Sequence, residues 1–323
     1  MWYGIGNTGL PNPASAFVEW LDDGTANLLV GCADIGQGSD TVLAQIVAEE
    51  LGISAENVMV TSADTLVTPE GGATSASRQT YISGNAARLA AKEAKQVALA
   101  EAKEMLKTEA AVEFLQGVVH VDGSATQMQV KEVINSCRMK GKLTLGHGWF
   151  NPATTGLDAN TGAGSPYGTY AFATQVAEVE VDTETGKVEV LRLVASHDVG
   201  RAINPKLVEA QIEGGSVMGV GYALLEEVNV NKGRISNPNF DAYLLPMSMD
   251  TPEIYSFIVE DQEPTGPFGA KGVGEPALIP TAAAVANAVY DAIGVRIYAL
   301  PITPERVLQA LEEKANAEMA ANN

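Results

Sequence analysis

Residues 266–276 read Gly-Pro-Phe-Gly-Ala-Lys-Gly-Val-Gly-Glu-Pro, with four glycines in the first nine positions and one carboxylate, Glu275, at the end. Glycine lets the backbone take positive φ and come close to a ligand or to another chain segment. A loop of this kind would hold Glu275 at the lip of a tight, partly dry site. Desolvation there raises a carboxylate's pKa toward the working range of a general base. A plainer reading is a turn followed by a helix whose N-terminal glutamate is favoured by the macrodipole. The stretch alone does not choose between the two; three further loops of similar character do.

Residues 31–38, Gly-Cys-Ala-Asp-Ile-Gly-Gln-Gly, lie between a strand-like and a helix-like stretch. That position offers free backbone N–H groups and the positive end of a dipole to an anionic ligand. No Lys-Ser/Thr follows the glycines, so this is no Walker A loop, and GxGxxG is absent, which leaves a nicotinamide site without its fingerprint. Residues 71–79, Gly-Gly-Ala-Thr-Ser-Ala-Ser-Arg-Gln, again precede a helix. Hydroxyls, amides and one arginine are a natural set for a pyrophosphate, although a capping turn with a solvated arginine has the same composition. Residues 197–205, His-Asp-Val-Gly-Arg-Ala-Ile-Asn-Pro, open a helix carrying Gln211. The His-Asp pair invites a hydrolase reading, but no GxSxG elbow supplies a nucleophile.

Around these loops the chain alternates strands and helices. Residues 17–20 and 26–30 predict two strands joined by a turn at Asp22-Asp23-Gly24. Val42, Leu43, Ile46, Val47 and Leu51 recur at helical spacing after Ser39 or Asp40, and Gly52 stops the helix. A strand follows at 58–61, then an alanine-rich helix over 84–106. The stretch 146–170, crowded with Gly, Asn, Pro and Thr, reads as an ordered loop or the seam between two lobes. Beyond it come strands at 170–182 and 187–195, a helix over 205–225 with Pro205 in its first turn, and helices from Thr281 and Thr303. The tail after Ala315 is expected to fray. The class is α+β, in two lobes at about 1–145 and about 165–311.

The 323-residue chain carries a formal charge of −20, which repels phosphate backbones and anionic membrane surfaces alike. Nucleic acid and membrane partners are therefore not expected. Cys32 and Cys137 are too far apart in sequence for a CxxC site, and His120, His147 and His197 are isolated, so the chain offers no iron–sulfur or zinc ligand set. Met1-Trp2-Tyr3-Gly4 lacks the character of a signal peptide, and Asn287 and Asp291 interrupt the most apolar stretch, 278–295. A cytoplasmic protein is the expectation.

Taken in order and at these intervals, IGQG, GGATSASRQ, HDVGRAINPKLVEAQ and GAKGVGEP resemble the second molybdenum-binding domain of the xanthine dehydrogenase (molybdenum hydroxylase) family, over about residues 4–311. The resemblance implies a two-lobed cofactor-binding domain holding a molybdopterin dinucleotide, in its cytosine form, with molybdenum on the pterin dithiolene and no metal ligand from the protein. It also implies that Gly36, Gln37 and Gly38 meet the pterin and its phosphate. Thr74, Ser75, Ala76, Ser77, Arg78 and Gln79 would contact the pyrophosphate and nucleotide, with Ala76 near the metal. Gln211 would bond the pterin edge, Lys271, Gly272, Val273 and Gly274 would line the metal site, and Glu275 would be the catalytic glutamate. Asn7 and Thr8 fall where relatives meet substrate; an Asn there removes a stacking face and points away from a purine.

By the same resemblance, the first molybdenum domain resides on a large molybdopterin subunit, with FAD and [2Fe–2S] on further subunits. The layout is similar to the medium molybdopterin subunit of nicotinate dehydrogenases, which implies hydroxylation of an electron-poor N-heterocyclic carbon, nicotinate to 6-hydroxynicotinate, with oxygen from water. A xanthine, purine or aldehyde hydroxylase subunit is the alternative within the family. A non-catalytic assembly subunit is the alternative outside it, and the presence of Glu275 and Gln37 weighs against that.

Overall fold

The computed structural model describes residues 1–6 and 11–321; Asn7 and Thr8 lie outside the described residues. In chain order the elements are β1 (Trp2–Ile5), β2 (Ala14–Trp20), β3 (Ala26–Val30), α1 (Ser39–Leu51), β4 (Val58–Ser62), α2 (Gly84–Leu106), β5 (Val112–Leu115), β6 (Val118–Val121), β7 (Ser124–Gln129), α3 (Val130–Met139) and β8 (Leu145–Phe150). There follow β9 (Thr169–Val181), β10 (Val188–Asp198), α4 (Pro205–Leu224), β11 (Val230–Asn231), β12 (Arg234–Ile235), β13 (Glu253–Val259), α5 (Thr281–Ile293) and α6 (Pro304–Ala321). The mixture of helices and strands is α+β, as expected. Among the described residues no helix is long and apolar enough to cross a membrane.

The first sheet has the order β4-β3-β2-β8. Its inner face is set by alternation: Ala14, Ala16, Val18 and Trp20 of β2 and Ala26, Leu28 and Val30 of β3 are buried. Helix α2 lies across this face on Ala86, Ala90 and Ala94. A β-carbon at Gly146 or Gly148 of β8 would collide with the carbonyl oxygens of Ala90 and Ala86. The helix is therefore alanine-rich because it packs backbone against backbone. For the same reason residues 145–150 are a strand and not part of the expected loop, since their glycines make room for α2.

The second sheet has the order β1-β9-β10-β13, antiparallel except for the parallel β10–β13 pair. Its core joins Leu193, Val220, Val285, Val289, Ile302 and Val307. The first strand of the chain belongs to this second sheet and not to the first, with Trp2 opposite Phe172 and Tyr3 opposite Ala171. Helix α6 continues to Ala321, beyond the expected fraying point at Ala315. Two strands with parallel partners each end in one of the quoted loops: β3 runs into residues 31–38, and β10 into 199–204 ahead of α4.

Candidate active site

Ala76 and Ser77 both occupy the left-handed region, with φ of 53° and 51°. Non-glycine residues rarely adopt this conformation, and surrounding contacts must hold them there. The turn aims two donors at one carboxylate. Ala76 N–H donates to Glu275 Oε1 at 2.9 Å, and the Ser77 hydroxyl donates to Oε2. Glu275 N–H returns a bond to Ser77 Oγ at 2.9 Å. The N-terminal strand reaches the same place: Gly6 N–H donates to the Ala76 carbonyl at 3.0 Å. The Tyr3 phenol is pushed up to about 12, first by burial and then by the Glu275 charge.

The loop after β10 is laced to the Glu275 loop. Lys271 N–H donates to the Val199 carbonyl at 2.9 Å, and Arg201 N–H to the Gly269 carbonyl at 2.8 Å. Lys271 Nζ forms a buried ion pair with Asp198 Oδ2 at 2.6 Å. The lysine therefore braces two loops and presents no free charge. His197 faces a different partner, the Gln175 amide, with its Nε2 3.1 Å from the donor nitrogen. Burial pushes its pKa down to about 4, with a smaller contribution from the N-terminal ammonium. The neighbouring His and Asp do not act on one another.

Two sequence expectations are corrected here. The amides of Gly36 and Gly38 are not free for an anion: the Asp34 carboxylate accepts from Gly36 N–H at 2.8 Å, Asp40 N–H at 3.1 Å and Gly38 N–H at 3.4 Å. Desolvation opposes the charge of Asp34, but these donors outweigh it and hold the carboxyl below its ordinary range. Gln37 folds back as well, donating to the Ala33 carbonyl at 2.9 Å and accepting from Ile35 N–H at 2.6 Å. Nor is Arg78 solvated or available to a pyrophosphate. It is fully buried, and its guanidinium donates to the carbonyls of Gly71, Ala73, Asn12 and Pro13 at 2.6–3.1 Å. Thr74 and Gln79 join one another at 3.0 Å, and Ala33 N–H donates to the Thr74 hydroxyl at 3.0 Å.

What the loops enclose is a cavity of about 310 Å³, bounded by Gln37, Thr74, Ser77, Gln211, Gly274 and Glu275. Ser75, Gln79, Lys271, Gly272 and Val273 also reach its wall, whereas Gly36 and Gly38 do not line it. The half-buried Gln211 amide makes no side-chain hydrogen bond among the described residues. A β-carbon on Gly274 would stand 3.6 Å from Ser77 Oγ and 4.0 Å from Gln211 Oε1, so the bare glycine keeps that space open. Arg201 also lines the cavity, with no acidic partner among the described residues. Sequence reasoning passed over Tyr3 and Arg201. Tyr3 carries no local signal, and Arg201 stood unremarked inside a quoted loop. Among the described residues no group of three His, Cys, Asp or Glu could hold a metal ion.

A family model described as the molybdopterin cofactor-binding domain matches residues 1–252. The chain belongs to the molybdopterin cofactor-binding family. It is 37% identical over 300 residues to the xanthine dehydrogenase molybdenum-binding subunit of Escherichia coli O157:H7, covering 92% of this chain and 39% of that protein. It is 36% identical over 306 residues to the 6-hydroxypseudooxynicotine dehydrogenase complex subunit gamma of Paenarthrobacter nicotinovorans, covering 93% and 38%. The quinoline 2-oxidoreductase structure from Pseudomonas putida 86 superimposes with a TM-score of 0.85 at 29% identity, covering 97% of this chain and 41% of that one. The chain thus spans about two fifths of the length of these relatives. Its cavity fits a molybdopterin ring chemically. Among the described residues Gln211 offers an unpaired donor and acceptor, Gly274 leaves room beside it, and Arg201 has no acidic partner, which leaves its charge for an anionic substituent.

Proposed function

We propose that this chain forms the part of a molybdenum hydroxylase active site that carries the general base, Glu275. One observation carries the reading: a carboxylate held by donors from a separate loop borders the same cavity as the unpaired amide of Gln211. In this reading Gln211 bonds the pterin edge, the backbone at 272–274 lies beside it, and residues 74–77 face the dinucleotide, cytosine in form. Bound molybdopterin would supply two-electron redox chemistry at molybdenum. Glu275 takes up a proton at a carboxylate oxygen as a water-derived oxygen becomes nucleophilic. Ala76 N–H and the Ser77 hydroxyl keep that carboxylate facing the cavity.

The substrate class proposed is an electron-poor N-heterocycle, nicotinate in particular. The names of two relatives, quinoline 2-oxidoreductase and 6-hydroxypseudooxynicotine dehydrogenase, support the N-heterocycle class. A xanthine substrate is the second reading, favoured by the Escherichia coli relative. In the proposed enzyme, partner subunits carry the first molybdenum domain, FAD and [2Fe–2S].

Replacing Glu275 by Gln in the assembled enzyme tests the proposal. Molybdenum and pterin content are expected to stay at the unsubstituted level while kcat falls roughly 10²- to 10⁴-fold, the loss of a general base. An unchanged kcat would refute the assignment. Turnover of nicotinate, quinoline and xanthine by the same preparation separates the two substrate readings.

A further inference from the structure

We propose that Gln175, on β9, is a positioning residue that sets how far Glu275 stands from Gln211. The proposal rests on the reading of Glu275 as the base and of Gln211 as a partner of the pterin edge. Alternation along β9 turns Gln175 inward, where it is buried, and pairing with Ala195 of β10 fixes its backbone. Its Nε2 donates to the Ala277 carbonyl at 3.0 Å, and its Oε1 accepts from the Thr281 hydroxyl at 2.6 Å. The same nitrogen lies 3.1 Å from His197 Nε2 and 3.3 Å from Ser216 Oγ. A carbonyl can only accept, so the amide faces one way: turned over, it would set oxygen against the oxygen of Ala277.

Three segments meet at this amide. Ala277 is two residues past Glu275, and Leu278 N–H closes a turn onto the Glu275 carbonyl at 3.1 Å, so the Ala277 carbonyl and the Glu275 backbone move together. Ser216 lies on α4, the helix that carries Gln211. Gly215, one helical turn past Gln211 and on the same face, packs on Ala277, and a β-carbon there would stand 2.5 Å from Ala277 Cβ. That contact limits how closely the two segments approach, but it does not stop them from separating. The bond from Gln175 to the Ala277 carbonyl does. Ala76 N–H and the Ser77 hydroxyl hold only the far end of the Glu275 side chain and leave this backbone distance open.

Two measurements test this. Gln175→Met keeps the length of the side chain and removes its hydrogen bonds. In the full chain labelled with 13C-carbonyl alanine and 15N-leucine, the Ala277–Leu278 resonance, assigned with Leu278→Ile, is expected to move in Gln175→Met, because the carbonyl loses its donor. A resonance that stays in place overturns the proposal and leaves the role of Glu275 untouched. In the assembled enzyme, Gln175→Met is expected to lower kcat per molybdenum roughly 10- to 100-fold, the scale of a misplaced reacting group, with KM within about twofold. Should that variant not accumulate as folded protein, Thr281→Val, which keeps Gln175 but frees its amide, is read in the same way. Adding either substitution to Glu275→Gln should cost nothing more. An equal loss in both backgrounds, or no loss in either, overturns the positioning role. By contrast, an active Glu275→Gln enzyme would sink the base assignment itself.

Discussion

The carbonyl oxygen of Ser77 packs directly against the backbone of Gly272, where any β-carbon would overlap it. Two loops almost two hundred residues apart thus meet backbone to backbone. The contact sets the distance between the Ala76–Ser77 turn and Glu275, three residues past Gly272. A bulkier residue at 272 would hold the turn away from the carboxylate it binds.

Gly272→Ala is therefore expected to destabilise the chain by roughly 1–3 kcal/mol, the usual cost of overpacking, and to lower turnover with it. Gly274→Ala should behave differently. Its β-carbon meets Ser77 Oγ and Gln211 Oε1 at 3.6 and 4.0 Å, ordinary contact distances, so stability should hold. The added methyl would intrude on the cavity, and retained pterin should fall. Thermal unfolding together with pterin content distinguishes the two substitutions.

Arg78 is a cross-link between the 71–79 loop and the Asn12–Pro13 segment. Lys has a single nitrogen and cannot span four carbonyls arranged around a planar fork. Each carbonyl left buried without a donor costs roughly 1–3 kcal/mol, so Arg78→Lys should lower unfolding free energy by at least that much in urea titrations. A change near zero would show that water replaces the guanidinium.

Much of this site was legible because its signals are local. Glycine, proline and capping residues mark each loop and the helix after it; helical spacing gave α1, and alanine-rich composition gave α2, within a residue or two. Tertiary partners were not legible. Arg78 looks solvated beside its serines, and only the fold supplies the carbonyls of Asn12 and Pro13, more than sixty residues upstream. Asp34 was a missed local signal, since Asp followed two residues later by Gly favours a side chain bonded to its own loop amides. The β5–β7 meander escaped because three short, half-exposed strands carry little alternation; α3 was passed over although Val130, Val133, Ile134 and Cys137 recur at helical spacing behind a Gln129/Glu132 capping box. Tyr3 escaped because a four-residue strand takes its meaning from the sheet it joins.

The ion pair beneath the site is expected to be costly to break and cheap to replace. Lys271→Met leaves Asp198 as a buried, uncompensated charge, and stability should fall by about 3–5 kcal/mol. Adding Asp198→Leu should recover a large part of that loss, because no charge then remains to be desolvated. If the double variant is no more stable than Lys271→Met alone, the pair does more than neutralise charge between the loops.

His197 sets how the fold responds to acid. In the unfolded chain its imidazole takes a proton near pH 6.5, whereas in the fold burial pushes that event down to about 4. The unfolded state binds the proton first as pH falls. The contribution of neutral His197 to stability is therefore complete above pH 6.5 and is lost progressively between 6.5 and 4. The shift corresponds to about 3 kcal/mol, at one pKa unit per 1.36 kcal/mol. His197→Gln keeps a polar group next to Gln175 but cannot titrate. Its unfolding free energy, measured in urea at pH 7 and pH 4, should fall less across that interval than that of the unsubstituted chain. Equal falls in both proteins would mean that the imidazole accepts its proton in the fold as readily as in water.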